Sequence, residues 1–446
     1  MYDLTIIGAG VSSVFLAYTL LQKNEDLSVH VIDKGKKLNE RICGLDEGNS
    51  CTCSDGCSKY MGFAGLGKSE GKFNYTNDFG GELAQKIGEE ETLQLMKEVD
   101  HILCTFGADQ VDTYSTKNGP LTERAAQHSL HVLSTEVRHL GTTVAREVFQ
   151  QMYEKMKDKI TFTFEANVER IQKNDSFRIQ TNKGNFTSDQ VVLATGMSGS
   201  QWLKGQTSAL GLHPGETRLD LGIRVEMRGD QLDPILQDTF ETKLQYVGKD
   251  YSATTYCMNP RGRIIRKHQH GLVMPDGQNQ YEKETPSANL NFTLFVPKYF
   301  PTYEEAMKKA EQIIGGINGD RDRIVVQRLR DLKNNQISNN RNCHSIIPSL
   351  DAEKGNINEE VPELYIRALL DFFEALEGLL GESIDPDTLL YGIDAKFYEP
   401  KLYTNEKFET EVRGLYLIGD CSGETHSLAQ AAASGIYLGS KLCSYN

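Results

Sequence analysis

The chain opens with an apolar run, Leu4 to Ile7, that stops at Gly8. Val14 to Leu21 then repeat apolar residues at helical spacing, and "LSVHVID" restores the run of a buried strand. The order expected is strand, glycine turn, helix, strand. Leu93, Leu95, Met96, Val99, Ile102 and Leu103 predict an amphipathic helix between Gly80 and Gly107, and "TTVAREVFQQMYEKM" predicts another over Thr142 to Met156. Three strand-like runs follow: "ITFTFEANVERI", "SFRIQTN" and "QVVLATG". After Trp202, the single tryptophan, the texture changes to widely spaced strands such as "LGIRVEM" and "NLNFTLFV". A helix with Thr302 and Glu305 in capping-box spacing comes next, then a Leu- and Phe-rich helix over Glu363 to Leu380. "GLYLIGD" reads as a last buried strand, and "HSLAQAAASGIYLGSKL" as a closing helix rich in small residues.

Composition narrows the classes. At 446 residues there is room for two or three domains, and no internal repeat or low-complexity tract stands out. The longest apolar runs fall short of the ~18 residues that a bilayer crossing needs, so no membrane span is expected. With an acid at position 3 and no basic segment at the start, a signal peptide is not expected either, and the localisation expected is cytoplasmic. A formal charge of −14 makes phosphate backbones poor partners, so nucleic acid is not expected as a ligand. "RGRIIRK", Arg261 to Lys267, is the one basic candidate, and it reads as a solvated turn and strand.

"LTIIGAGVSSVF" gives the chemistry its first anchor. It matches strand, G-x-G-x-x-S, helix, with Gly8 at the turn and Gly10 where backbone must lie close to a diphosphate. Ser13 takes the third glycine position, which needs only a small side chain. Ala9, Val11 and the first helix N-terminus supply backbone N–H groups for the diphosphate, and Asp33 closes the second strand where an acid accepts hydrogen bonds from ribose hydroxyls. No second unit of this kind lies between Gly196 and Gly414, so a dedicated nicotinamide domain is not expected. NAD(P)H would serve only as a transient reductant.

"QVVLATGMSG" and "GLYLIGDCSGETHSLAQAAASG" resemble the A-T-G turn and the C-terminal G-D strand end of the two-domain FAD enzymes related to glutathione reductase. That resemblance implies FAD as cofactor, with Thr195 and Gly196 at the first turn. It puts Gly419 and Asp420 beside the ribityl or diphosphate part, and the helix start at Leu428, Ala429 and Gln430 toward the flavin pyrimidine edge. Lys34, Arg41 and Val168 complete the expected cofactor set. "GFAGLGKSEGKFNY", "RHLGT", "YCMNPRG" and "LLYGIDAKFYEPKLYTNEKFET" are similar, more narrowly, to a bacterial family of FAD-dependent dehydrogenases with largely unassigned substrates. The family's glycine-rich loop corresponds to Gly62 through Lys72, with Gly65 and Gly67 close to the cofactor and departures at Ala64, Leu66, Lys68 and Glu70.

Immediately before that loop, Cys43, Cys51, Cys53 and Cys57 gather four of the nine cysteines. Their spacing, C-x7-C-x-C-x3-C, fits zinc knuckles poorly. Reduced structural thiols, a bound zinc or iron–sulfur cluster, and a redox-active pair all stay open.

The fold expected is α/β: a Rossmann-like, three-layer FAD domain built on a parallel sheet, from 1–80, 135–205 and 390–446. Residues 81–134 and 206–389 form an inserted α+β substrate domain. The function expected is FAD-dependent hydride transfer between a small organic substrate and flavin N5, as dehydrogenase or reductase, with an unidentified electron acceptor or donor. His426 is the candidate for proton handling, with helix capping as its plainer role, and Lys72 the candidate for neutralising flavin or an acidic substrate. A tRNA-modifying flavoprotein and a non-catalytic nucleotide- or metal-binding module centred on the cysteines are the alternatives.

Overall fold

The computed structural model describes residues 1–42, 60–69, 71–237, 242–278, 286–338 and 345–443, without the side chains of Ser200 and Cys257. Cys43, Cys51, Cys53 and Cys57 lie outside the described residues. The chain divides into two compact units, one of Met1–Ser115, Thr135–Gly215 and Glu399–Asn446, the other of Thr116–Ser134 and Glu216–Tyr398. Both combine helices with β-sheet, the first with parallel and antiparallel pairing in one sheet.

The first unit is organised by a seven-stranded sheet. Its strands are β1 (Tyr2–Ile7), β2 (Val29–Ile32), β3 (Thr161–Thr163), β4 (Val168–Lys173), β5 (Phe177–Thr181), β6 (Gly184–Leu193) and β7 (Leu415–Leu417). The order is β3-β2-β1-β6-β5-β4, with β7 also on β6; β1, β2, β3, β6 and β7 pair in parallel and β4 and β5 antiparallel. The antiparallel strands β4 and β5 extend the parallel sheet that was expected. The extension arises because short turns after Lys173 and after Thr181 reverse the chain from β4 to β5 and from β5 to β6.

Helices α1 (Val11–Lys23), α2 (Glu89–Thr105), α3 (Gly141–Met156) and α4 (Leu428–Cys443) share one core with Leu4 and Ile6 of β1. Phe15, Leu16 and Leu20 of α1 are fully buried there, each contributing roughly 1.5–3 kcal/mol. Ile7, Ile32, Val191 and Leu193 point the other way, into a second core with Phe177, Ile179 and Leu203, as the alternation of strand side chains requires. Small residues let α4 lie against α1: a Cβ at Gly435 would stand 2.2 Å from the Ser12 carbonyl oxygen. Residues 81–115 pack in this first unit, because α2 lays Leu95, Met96, Val99, Ile102 and Leu103 into the same core and contacts α4. Leu93 is an exception to the expected apolar stripe and is 40% exposed.

A small three-stranded sheet of the same unit, Lys72–Tyr75, Thr113–Ser115 and Glu136–His139, carries Arg138 from the "RHLGT" motif. Its guanidinium forks onto Asp100 of α2 at 2.7 and 2.9 Å, and the Tyr75 hydroxyl donates to the same carboxylate at 2.6 Å. Burial raises the Asp100 carboxyl and the Arg138 and Tyr75 hydrogen bonds lower it, for a net fall below the usual aspartate value.

The second unit is built on an eight-stranded, mostly antiparallel sheet. Its long central strands, Thr217–Arg228 and Asn289–Phe300, pair along their whole length. One face carries Leu219, Leu221, Ile223, Val225, Phe292 and Leu294 into a core closed by the helix Glu363–Leu380, at the bounds expected from its pattern. The opposite face carries buried polar side chains, among them Asp220, Arg224, Glu226, Asn291 and Thr293, beside a smaller apolar cluster with Leu389 and Tyr391. Thr302 caps Tyr303–Ala310 by accepting the Glu305 N–H at 3.2 Å, and "RGRIIRK" runs into a strand, Arg263–Gln269.

Candidate functional site

The turn between β1 and α1 is constrained at one glycine and open at the other. Gly8 has a φ of 102°, and a Cβ there would sit 2.3 Å from the Ala194 carbonyl oxygen, so the protein itself requires glycine. Gly10 is extended, with φ −71° and ψ −176°, and a Cβ built on it meets nothing within 4 Å. Helix α1 begins immediately afterwards with no side-chain cap and no acidic residue in its first turn. Its first N–H groups and the positive end of its dipole are therefore left for an anion.

This turn forms part of the wall of a cavity of about 570 Å³ in the first unit. Gly8, Gly10, Val11 and Ser12 of the turn, Asp33 and Lys34, Gly62, Gly65 and Leu66, and Asp420 with Leu428 line it. Asp33, at the end of β2, accepts the Ala9 N–H at 2.7 Å through Oδ2 and the Gly35 N–H at 2.6 Å through Oδ1. Burial raises its carboxyl above the usual aspartate value, opposed by the N–H groups of Gly35 and Ala9, by Arg41 and by the N–H of Gly62. Asp420 accepts from the Thr425 hydroxyl at 2.7 Å.

The glycine loop is held onto the turn. The Ala64 N–H donates to Ala9 at 2.8 Å, a Cβ at Gly65 would come 3.3 Å from the Gly10 Cα, and Gly67 admits no side chain against Val11 and Phe149. Ala64, a departure from the resembled family, adopts a φ of 67°. Arg41 is 3% exposed and spends its guanidinium on the carbonyls of Phe63 and Gly65, while Lys68 caps the Arg41 carbonyl at 2.8 Å.

Of the residues expected at the cofactor, Gly8, Gly10, Val11, Asp33, Lys34, Gly65, Val168, Thr195, Gly196, Asp420 and Leu428 line the cavity. Ala9, Ser13, Arg41, Gly67, Gly419, Ala429 and Gln430 are not among its lining residues. Gly419 abuts Ser12, and Gln430 directs its amide to the carbonyls of Thr76 and Phe79, both at 3.4 Å. Lys72 and His426 are not among the lining residues; the His426 N–H donates to Gly80 at 2.9 Å. Cys421 is a buried thiol pushed up to about 11 by burial, which keeps it unreactive.

Sequence reasoning missed Asn167, Met197 and Trp202, which line the cavity beside Val168. Trp202 donates its indole N–H to the Val168 carbonyl at 2.5 Å. Its signal was its position just beyond the A-T-G turn. The arrangement suits an elongated molecule with a diphosphate at the turn and hydroxyl groups near Asp33. Among the described residues no group of three or more His, Cys, Asp or Glu is placed to hold a metal ion, and no helix is long and apolar enough to cross a membrane.

No family model and no curated protein matches the chain. Solved structures similar to it include the Mycobacterium smegmatis Sdh1 complex, at 14% identity and TM-score 0.43 over 100% of this chain and 68% of that one. Glycine oxidase from Geobacillus kaustophilus matches at 11% identity and TM-score 0.39, over 99% and 94%. CtdE in complex with FAD matches at 10% identity and TM-score 0.34, over 99% and 84%. Scores this low carry no activity, ligand or residue role over to this chain.

Proposed function

We propose that the chain is a FAD-dependent oxidoreductase that moves a hydride between a small organic substrate and flavin N5. The observation that carries this reading is Gly10, a glycine that neither its own backbone angles nor any protein neighbour requires. It stands over a cavity bounded by Asp33, by Asp420 and by an uncapped helix N-terminus. A diphosphate against that turn accounts for the missing side chain and the missing cap together.

The residues fit FAD in the following way. Asp33 accepts the adenosine ribose hydroxyls and its charge disfavours a 2′-phosphate. Val11 and Ser12 offer N–H groups to the diphosphate, and Trp202 and Val168 bound the adenine side. Asp420 receives the ribityl or diphosphate part, and the start of α4 at Leu428 turns its N-terminal dipole to the flavin edge. When bound, FAD supplies a two-electron acceptor and donor. His426 and Lys72, expected as proton handler and neutralising cation, do not line the cavity and are given no role in this reading.

The test is direct. Purified protein incubated with FAD and freed of excess is expected to keep the visible flavin bands. Anaerobic addition of NADH, NADPH or a metabolite panel then identifies the compound that bleaches them. Protein that retains no flavin after incubation with excess FAD refutes the reading.

A further inference from the structure

The glycine loop bounds the cavity through Gly62, Gly65 and Leu66, while Phe63 and Ala64 between them are fully buried. The Phe63 ring meets Tyr153 and Phe162 edge-on, at 5.1 and 5.9 Å between centroids. That packing fixes where the loop lies, and hydrogen bonds fix how its peptide groups turn. The turn is a strained one. Ala64 and Gly65 follow each other in the left-handed region, at φ 67° and 48°, with Gly62 at 102°. Backbone of this kind persists only where its surroundings hold it.

Arg41 supplies the hold. Its terminal nitrogens donate to the carbonyls on either side of Ala64, Nη1 to Phe63 and Nη2 to Gly65 at 2.9 Å. One planar, rigid group thus sets two peptide planes at once. The peptide joining Phe63 to Ala64 is held at both ends, because its carbonyl takes Arg41 and its N–H donates to the Ala9 carbonyl of the β1–α1 turn at 2.8 Å. Lys68, further along the loop, closes the circuit with its ammonium on the Arg41 carbonyl at 2.8 Å. Both cations are nearly out of water, at 3% and 6% exposure. All of these bonds join protein to protein, so they shape the wall ahead of any ligand.

We propose that Arg41 is a positioning residue for the diphosphate end of the cavity: it presets the glycine loop against the β1–α1 turn, and Lys68 locks it in that role. A ligand then meets a finished wall and spends no binding energy on ordering it. That the ligand is FAD rests on the oxidoreductase reading; the presetting of the loop does not. The Arg41 charge also acts on Asp33. Arg41→Lys keeps that charge and loses the fork, so it isolates the hold on the loop.

Hydrogen exchange on the full apo chain reads the loop directly. In Arg41→Lys and in Lys68→Met, the amides of residues 62–67 are expected to exchange roughly tenfold or more faster than in wild type, the loss of one charge-assisted bond. The same variants should bind FAD roughly tenfold or more weakly, and likewise ADP, a probe that carries the diphosphate without the flavin, since only the fraction with the loop in place is competent. Arg41→Met should lose more than Arg41→Lys. Arg138→Met loosens the same unit outside the cavity wall and should keep both affinities within twofold, which separates positioning from general stability. Lys68→Met leaves the guanidinium intact and decides the matter if Arg41→Lys does not fold. Loop exchange as in wild type, affinities within twofold of wild type, or an equal loss in Arg138→Met would each overturn the assignment. Wild-type chain that binds ADP but no FAD refutes only the oxidoreductase reading, and wild type that binds neither refutes both.

Discussion

Gly8 and Gly10 stand two residues apart in one turn, and replacing each with alanine separates a demand of the fold from a demand of a ligand. At Gly10 the backbone angles suit any residue and the new methyl meets no protein atom within 4 Å. Alanine is a poorer helix N-cap than glycine, which costs up to about 1 kcal/mol, and it narrows the unfolded ensemble, which returns a comparable amount. The apo protein should therefore keep its unfolding free energy to within about 0.5 kcal/mol. Gly8→Ala faces a φ of 102° and a backbone oxygen at 2.3 Å, and should cost about 3 kcal/mol or more.

Ligand affinity should reverse that order for Gly10→Ala. Its methyl occupies the space assigned to the diphosphate, and pushing that group off the α1 N–H donors loses charge-assisted hydrogen bonds worth about 1.5–3 kcal/mol each. A loss of at least tenfold in FAD affinity, or about 1.4 kcal/mol, is the smallest expected effect. Urea unfolding of the apo protein measures the first quantity, and titration of FAD followed by fluorescence quenching measures the second. Gly10→Ala protein that binds FAD within twofold of wild type refutes the assignment of the turn to a diphosphate.

Further tests reach other parts of the first unit. His30 is fully buried, stacked on Tyr2 and 2.8 Å from the Thr163 hydroxyl, and burial lowers its pKa to about 4. The unfolded chain takes up that proton near the ordinary 6.5, so the neutral ring's contribution is complete above that pH and is lost as pH falls toward 4. Between pH 7 and 5 the loss is about 2 kcal/mol, and unfolding of His30→Gln compared with wild type at both pH values should show that share missing. Arg138→Met leaves Asp100 without its forked partner and should cost about 3 kcal/mol in urea unfolding. Ala64, held at a φ of 67°, should gain about 1 kcal/mol on replacement by glycine, seen as a higher urea midpoint.

What could be read from the sequence follows the range of the physics involved. The Gly8 turn, α1 and the acid at Asp33 were legible because each is set by neighbours along the chain: a φ only glycine tolerates, a helical apolar spacing, a strand end. Glu363–Leu380 was legible for the same reason. Arg138 was noticed as part of a motif, but its role was not visible, since its partner Asp100 lies 38 residues earlier on a helix that must first dock. Arg41 was expected at the cofactor and Lys68 was noted only as a departure from the family's loop; that both are buried against the glycine loop was not visible, because their acceptors are backbone carbonyls, which carry no sequence signal. Helix α2 was expected from its period, yet its membership of the first unit depends on α4, formed near the far end of the chain. Trp202 escaped assignment because its indole bonds a carbonyl 34 residues earlier.

The seating of α4 on α1 through Gly435, and of β7 on β6, gives the first unit an order of assembly. Its first strand, turn and helix precede the second unit along the chain, but their last partners, residues 415–417 and 428–443, follow the whole of it. Until those segments are made, the flank of α1 that packs on α4 stays uncovered. Long-range closure of this kind is slow and exposed to aggregation, and the second unit, whose main segment 216–398 is continuous, can organise while the first is still waiting.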